Sequence, residues 1–378
     1  MFRASAALAA FALFAGTAAG CGTTTSSSGS SGSASNTTSS GGSAKTIKAA
    51  WIYVGTTDDA GWTAAHDAGR KYVMGHLGSK VQTTFKETVP EGPQAKQVIE
   101  DLVRDGNKII FATSFGYQDA MVAEAAKHPD VYFEQATGAK VSKNLAEYYG
   151  AGEDSIFLAG MTAGASSKKG VLGYVSPFPI PEVIRDINAY TLGAQTTHPG
   201  AKVHVVWTNT WFDPDKESKA AQSLVSAGAD VLGQGQDSPA TGQVAKTSGL
   251  KWTGYDSDQQ RFAPKAWLTG AVYNWGPYYL KRIQAAMDGT WKSGSYYGNI
   301  ADGFTDIAPF GSSVSSATRA AVAAKRSALS DGKFYEFQGP LYDQAGKLRV
   351  PKGQKLSLGQ ILGMDWFVKG VVGNPKGS

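Results

Sequence analysis

Short β-rich apolar runs and helix-period segments alternate along almost the whole of this chain, in two successive sets. In the first set Lys48–Val54, Val81–Thr88, Lys108–Ala112 and Val131–Gln135 read as strands. The helices between and after them are Trp62–Leu77, a segment opened by Pro93, Asp119–Lys127 and Asp154–Ser166. The pattern restarts near Lys169. Val171–Val175, Val203–Trp207, Val231–Leu232 and Trp252–Tyr255 read as strands, with helices at Pro181–Thr197 and Asp213–Ala227 and one ending at Gln243–Ser248. Such βα alternation predicts parallel sheets covered by helices on both faces. Two sets predict two similar lobes. A helix at Pro277–Asp288 is expected to return to the first lobe, and Phe304–Ala308 and Met364–Val372 to complete the second. The expected boundaries are 45–168 plus about 276–298 for the first lobe, and 169–275 plus about 299–378 for the second.

The part ahead of these lobes has a different character. A basic residue, Arg3, is followed by an Ala-, Leu- and Phe-rich run that ends in Ala18-Ala19-Gly20, directly before Cys21. That is the order of a secretory leader, spanning 1–20, with a small-residue cleavage site. The run is shorter and richer in Ala than the ~20 apolar residues a membrane-spanning helix needs. The segment resembles the lipobox of bacterial lipoproteins, with Ala18 where that motif most often has Leu. Cys21 is then the expected lipidation site, and plain secretion is the rival reading. Cys21 is the single cysteine, so no disulfide can form within one chain. From Gly22 to Ala44 every residue except Ala34, Asn36 and Ala44 is Ser, Thr or Gly. A segment of that composition cannot build a core and behaves as a flexible tether with a reach of about 25–30 Å.

Charge excludes some partners. The chain carries a formal net charge of +5, with Lys and Arg scattered rather than gathered on one face, so no nucleic-acid footprint is present. Catalytic signatures are equally sparse. There is no G-x-S-x-G elbow and no G-x-x-x-x-G-K-[ST] phosphate loop. The five histidines show no metal-ligand spacing. No metal, cofactor or enzymatic activity is therefore expected.

Open parallel sheets bind ligands beyond the carboxyl ends of their strands. The residues at those exits are Asp58, Asp59 and Trp62; Ser114, Phe115 and Tyr117; Phe178; Asn209 and Trp211; Gln234, Gln236 and Asp237; Asp256; and Trp275. Nearly every exit carries a ring, an amide or a carboxylate. Rings stack on flat ligands, an effect of about 1–3 kcal/mol per base in nucleic-acid complexes, and polar groups then satisfy the ligand's rim.

Several of these runs also carry a family resemblance. Ile52-Tyr53-Val54-Gly55 with Asp59-Ala60-Gly61-Trp62, Thr113-Ser114-Phe115-Gly116-Tyr117, Phe178-Pro179-Ile180-Pro181-Glu182, Trp207-Thr208-Asn209-Thr210-Trp211-Phe212, Gly254-Tyr255-Asp256-Ser257-Asp258, Asn274-Trp275-Gly276-Pro277 and Met364-Asp365-Trp366-Phe367 are similar to the basic membrane protein (BMP) family. These are lipoprotein substrate-binding components of ABC transporters. The resemblance implies a type I periplasmic-binding-protein fold, with two lobes joined by a hinge, that closes on a purine nucleobase or nucleoside. It implies Trp62 and Phe178 sandwiching the base, Asp59 and Ser114 at its polar edge, and Asn209 and Trp211 from the second lobe. Asp256 falls where nucleoside binders meet ribose hydroxyls. Phe115, Tyr117 and Trp275 complete the expected site. Thr56 and Asp58 replace an expected Pro and Gly, and Asp58 is expected to face solvent. The implied partners are an ABC permease, a separate ATPase subunit and the membrane, with the protein itself a monomer. A sugar ligand or a nucleoside hydrolase remains as the alternative. On this reading Trp62→Ala abolishes binding and leaves the unliganded melting temperature nearly unchanged.

Overall fold

The computed structural model describes residues 46–377; the leader, Cys21 and the whole Ser/Thr/Gly segment lie outside the described residues. The first set of elements is β1 (Ile47–Ile52), α1 (Trp62–Leu77), β2 (Val81–Lys86), α2 (Gln94–Arg104), β3 (Ile109–Ala112), α3 (Gln118–Lys127), β4 (Tyr132–Ala136) and β5 (Leu145–Gly150). Then follow α4 (Gly152–Ser166), β6 (Val171–Ser176), α5 (Pro181–Thr197), β7 (Lys202–Trp207), α6 (Pro214–Ser226), β8 (Val231–Gln234), α7 (Ala240–Thr247), β9 (Lys251–Gly254) and β10 (Trp267–Tyr273). The chain ends with α8 (Trp275–Met287), β11 (Ser295–Gly298), β12 (Thr305–Ile307), α9 (Ser316–Ser330), β13 (Leu341–Tyr342), β14 (Leu348–Val350), α10 (Leu358–Leu362) and β15 (Val371–Val372).

Two sheets share one order over six strands, and the second adds β15 at its edge. The first runs β11-β5-β4-β3-β1-β2 and the second β12-β10-β9-β8-β6-β7-β15. All pairs are parallel except β10 with β12. A parallel strand covered on both faces must be apolar on both, and β1 shows it. Its Ala49 and Trp51 enter one core cluster, while Ala50 and Ile52 enter another on the opposite face. The expected parallel α/β architecture is present.

Helix starts follow local chemistry. Pro181 and Pro214 occupy first-turn positions, where no N–H is missed. Asp213 caps α6 by accepting from Lys216 N at 3.0 Å, and Ser315 caps α9 by accepting from Thr318 N at 3.1 Å.

The chain passes between the sheets three times, after β5, after β10 and after β11. Helix α4 packs on α5 and on the second sheet, so the first crossing falls at Gly150–Gly152, one helix ahead of the restart near Lys169. The α4–α5 contact is close because it is built on glycine. A Cβ on Gly160 would lie 2.2 Å from Tyr190 O, and one on Gly193 would lie 2.0 Å from Phe157 O. Aromatic rings fill the crossings: Tyr273 stacks on Trp275, both meet Phe304 edge-on, and Tyr149 lies tilted against Tyr273.

Beside the crossings, Asp154 accepts from Ile300 N at 3.3 Å. Burial, and then the Glu153 charge, push its carboxyl up to about 7. Glu336 beside it is also raised, by burial and by Asp154. A raised carboxyl keeps its proton in the folded state at pH values where the unfolded chain has lost it. Stability therefore falls as pH rises from about 4 through about 7. Carboxyls held low by ion pairs, such as Asp67, act in the opposite sense below that window, and the buried His66, whose pKa is pushed well down, opposes the fall up to about pH 6.5. The unliganded melting temperature is expected to drop between about pH 6.5 and 8, and Asp154→Asn to flatten that part of the slope. A scanning-fluorimetry pH series in which the variant keeps the full slope would contradict this.

Candidate ligand-binding cleft

The order β2-β1-β3 reverses direction at β1, and β7-β6-β8 reverses at β6. Each reversal leaves a crevice at the strands' carboxyl ends. A narrow cleft of about 20 Å³ lies there, lined by residues that follow seven different strands. Val54 and Trp62 follow β1, Ser114 and Phe115 follow β3, and Thr137 follows β4. From the second sheet come Glu182 after β6, Trp211 after β7, Asp237 after β8 and Tyr255 after β9. Both sheets thus supply one wall.

Trp62 opens α1 and is held from behind. Its Nε1 donates to Thr113 O at 2.5 Å, and its ring meets Trp275 edge-on at 5.3 Å. Trp275 in turn stacks on His66 at 4.0 Å. His66 Nδ1 lies 2.5 Å from Tyr279 Oη, and burial pushes the imidazole pKa well down, which keeps it neutral. On the other wall Trp211 is braced by Phe178, ring to ring at 5.2 Å.

The polar edge is rich in acceptors. Ser114 Oγ donates to Glu91 at 2.5 Å, and Trp62 Nε1 is already committed. Glu182 accepts from Tyr149 Oη at 2.9 Å and keeps capacity for more. Asp237 is 3 % exposed. Burial, then the charges of Asp256 and Asp59, push its carboxyl pKa well up. Asp256, next to the lining residue Tyr255, is 1 % exposed, and neither of its carboxylate oxygens has a partner. Burial and the Asp59 charge raise its pKa as well.

The structure brings Trp62, Ser114, Phe115 and Trp211 to the cleft, keeps Asp256 buried next to the lining residue Tyr255, and places the other expected residues elsewhere. Asp59 spends its carboxylate on the N-terminus of α1, accepting from Gly61 N (2.9 Å), Thr63 N (2.8 Å) and Ala64 N (2.9 Å). Burial raises its pKa and those three bonds oppose the rise. Tyr117 lies in the core of the first lobe with Oη donating to Val89 O at 2.6 Å. Phe178 and Trp275 form a layer behind the lining rings. Asn209 is exposed, at a φ of 54°. Asp58 is exposed. Sequence reasoning assigned no ligand role to Val54, Thr137, Glu182, Asp237 or Tyr255. Asp237 was visible as a strand-exit carboxylate; the others carry no local mark of function. Among the described residues no group of three or more His, Cys, Asp or Glu side chains is arranged to hold a metal ion.

Two sheets with the same order over six strands, three crossings and a shared cleft define a solute-binding architecture. A solved ABC transporter solute-binding protein from Aeropyrum pernix superposes with a TM-score of 0.68, covering 76% of this chain and 92% of that one at 16% identity, which is a likeness of fold. The profile of the Bmp family, described as ABC transporter substrate-binding protein PnrA-like, matches residues 46–330. A purine-binding protein of Brucella abortus is 41% identical over 334 residues, which is 88% of this chain and 95% of that protein. A protein of Haloferax volcanii, provisionally named as an ABC transporter glucose-binding protein, is 33% identical over 299 residues, 79% of this chain and 76% of that one. This chain belongs to the Bmp family of ABC transporter substrate-binding proteins.

Proposed function

We propose that this protein is an extracytoplasmic receptor that captures a purine nucleobase or nucleoside and releases it unchanged to an ABC permease driven by a separate ATPase subunit. The observation that carries this reading is the cleft itself. Trp62 and Trp211 reach it from opposite sheets, and Asp237 and Glu182 offer acceptors to a ligand edge made of N–H groups. The cleft holds only about 20 Å³, far below the ~300–1,000 Å³ usual for small-molecule sites, so admitting a purine requires its two walls to part. The 41% identical Brucella protein is named for purine binding. The leader and Cys21 support a lipid anchor, with the Ser/Thr/Gly segment as tether and the globular part a monomer.

Hinge closure is the proposed mechanism. A ligand that touches both walls stabilises the arrangement in which they meet. In that arrangement Ala60 O accepts from Ser257 Oγ at 2.5 Å and from Gln259 Nε2 at 3.0 Å. Gly61 makes the approach possible, because a Cβ there would lie 2.1 Å from Asp237 O. Gly61→Ala is expected to weaken ligand binding at least tenfold while changing the unliganded melting temperature little. Titration calorimetry with unaltered affinity would remove closure at this contact.

A sugar ligand is the second reading, favoured by the Haloferax relative. Calorimetry on protein stripped of co-purified ligand, with adenine, adenosine, guanosine, ribose and glucose, separates the two. Saturable one-to-one purine binding is expected, with intact nucleoside recovered by chromatography. Binding of glucose alone overturns the purine reading, and release of free base indicates a hydrolase.

A further inference from the structure

Next to the ligand cleft is a groove of about 310 Å³, and Phe115, Thr137 and Glu182 line both spaces. The two therefore adjoin, with these three side chains at their common border. The groove is walled on one side by Tyr296 and Tyr297 of β11, and it also includes Leu358 and Leu362 of α10. That helix lies beyond the residues matched by the family profile. Leu358 and Leu362 are 47% and 43% exposed and, four residues apart, share one helix face.

This wall is fixed in place. Ser357 and Gln360 form a capping box at the start of α10. Asn188 of α5 donates to Trp366 O at 2.8 Å and accepts from Val368 N at 2.9 Å, which ties down the segment that follows. The charges in the groove are unsuited to an anion. Its lining cation, Arg185, is buried and held by Glu153 at 3.3 Å. The carboxylates are Glu182 and Glu147, and Glu147 Oε2 is buried without a partner. A phosphate placed here would meet negative charge and no free counter-charge.

We propose that the ligand is a purine carrying an uncharged apolar substituent, which lies in this groove against Leu358 and Leu362. This rests on the purine reading of the adjoining cleft and narrows it. Each methylene buried contributes roughly a fourfold gain in affinity, so a phenyl or thioether group is expected to tighten binding about tenfold or more.

The test is calorimetry on the full mature chain with adenine, N6-benzyladenine, 5′-methylthioadenosine and AMP, repeated with Leu362→Glu and, independently, Leu358→Glu. Support consists of three results together. At least one apolar-substituted purine binds as tightly as adenine or tighter. Each variant weakens that compound at least tenfold and leaves adenine within twofold. AMP binds at least tenfold more weakly than adenine. Any other pattern in a protein that binds adenine overturns the proposal and leaves the purine reading standing. Failure of every purine to bind overturns both.

Discussion

Trp62→Ala is expected to eliminate purine binding and to lower the melting temperature of the unliganded protein. The second effect departs from what the sequence suggests for a rim residue. Trp62 is only 8 % exposed. It fastens α1 to the strand exit at Thr113 and touches Trp275, His66 and Tyr273 as well as the cleft. Truncating a buried Trp costs about 3–5 kcal/mol through lost burial and the cavity left behind. At roughly 2 °C per kcal/mol for a chain of this size, a drop of about 5–10 °C is expected. Two controls separate loss of site from loss of packing. Trp62→Phe keeps a ring but loses the bond to Thr113 O, so partial affinity should remain. Trp211→Ala removes the half-buried ring on the opposite wall, where affinity should fall at least tenfold with little change in melting temperature. Retained purine affinity in Trp62→Ala at a temperature where the variant is folded removes Trp62 from the site.

Asp256→Asn is expected to move stability and affinity in opposite directions. With the two walls together and no donor from a ligand, a buried carboxylate with two unpartnered oxygens is a cost of about 1–3 kcal/mol. The backbone at Asp256 has a φ of 65°, a left-handed conformation that Asn tolerates as well as Asp. The amide therefore fits without backbone strain and lowers the like-charge crowding from Asp59, Asp237 and Glu182. The melting temperature should rise by about 2 °C or more. If ligand hydroxyls or N–H groups donate to this carboxylate, charge-assisted bonds of about 1.5–3 kcal/mol are lost, and affinity should fall by roughly 10- to 100-fold. Thermal scans with and without adenosine check both signs. A variant that is less stable and binds as well as the parent would show Asp256 to be a structural residue.

How much of the fold is legible in the sequence depends on how local each signal is. Trp62–Leu77 and Pro181–Thr197 were legible to the residue, because a glycine stop at Gly78 and a proline start at Pro181 mark them in the sequence. β5 was not. Its Leu145-Ala-Glu-Tyr-Tyr-Gly has no β-branched residue, and it becomes a strand only through its ladder with β4 and β11. α10 is short and half exposed, so its place at the groove is set by contacts with α5. The assignment of α4 needed the packing partner, since a helix apolar on all sides can bury itself against either sheet.

The same division holds at the site. Trp62, Ser114, Phe115 and Trp211 could be found because a strand exit is a position along the chain, and both sheets put their exits at one end. Whether a side chain at an exit turns to the cleft, to a helix end or to the core is settled by competition for hydrogen bonds in three dimensions. Asp59 lies one residue from an exposed Asp58 and is taken by three N–H groups of α1. Asp237 has no such claim on it and faces the cleft. Composition and periodicity determined the two sheets and the kind of surface a ligand would meet. Tertiary packing decided which carboxylates remain unpaired, because a buried charge keeps its capacity for a ligand only when no donor of the chain itself lies within reach.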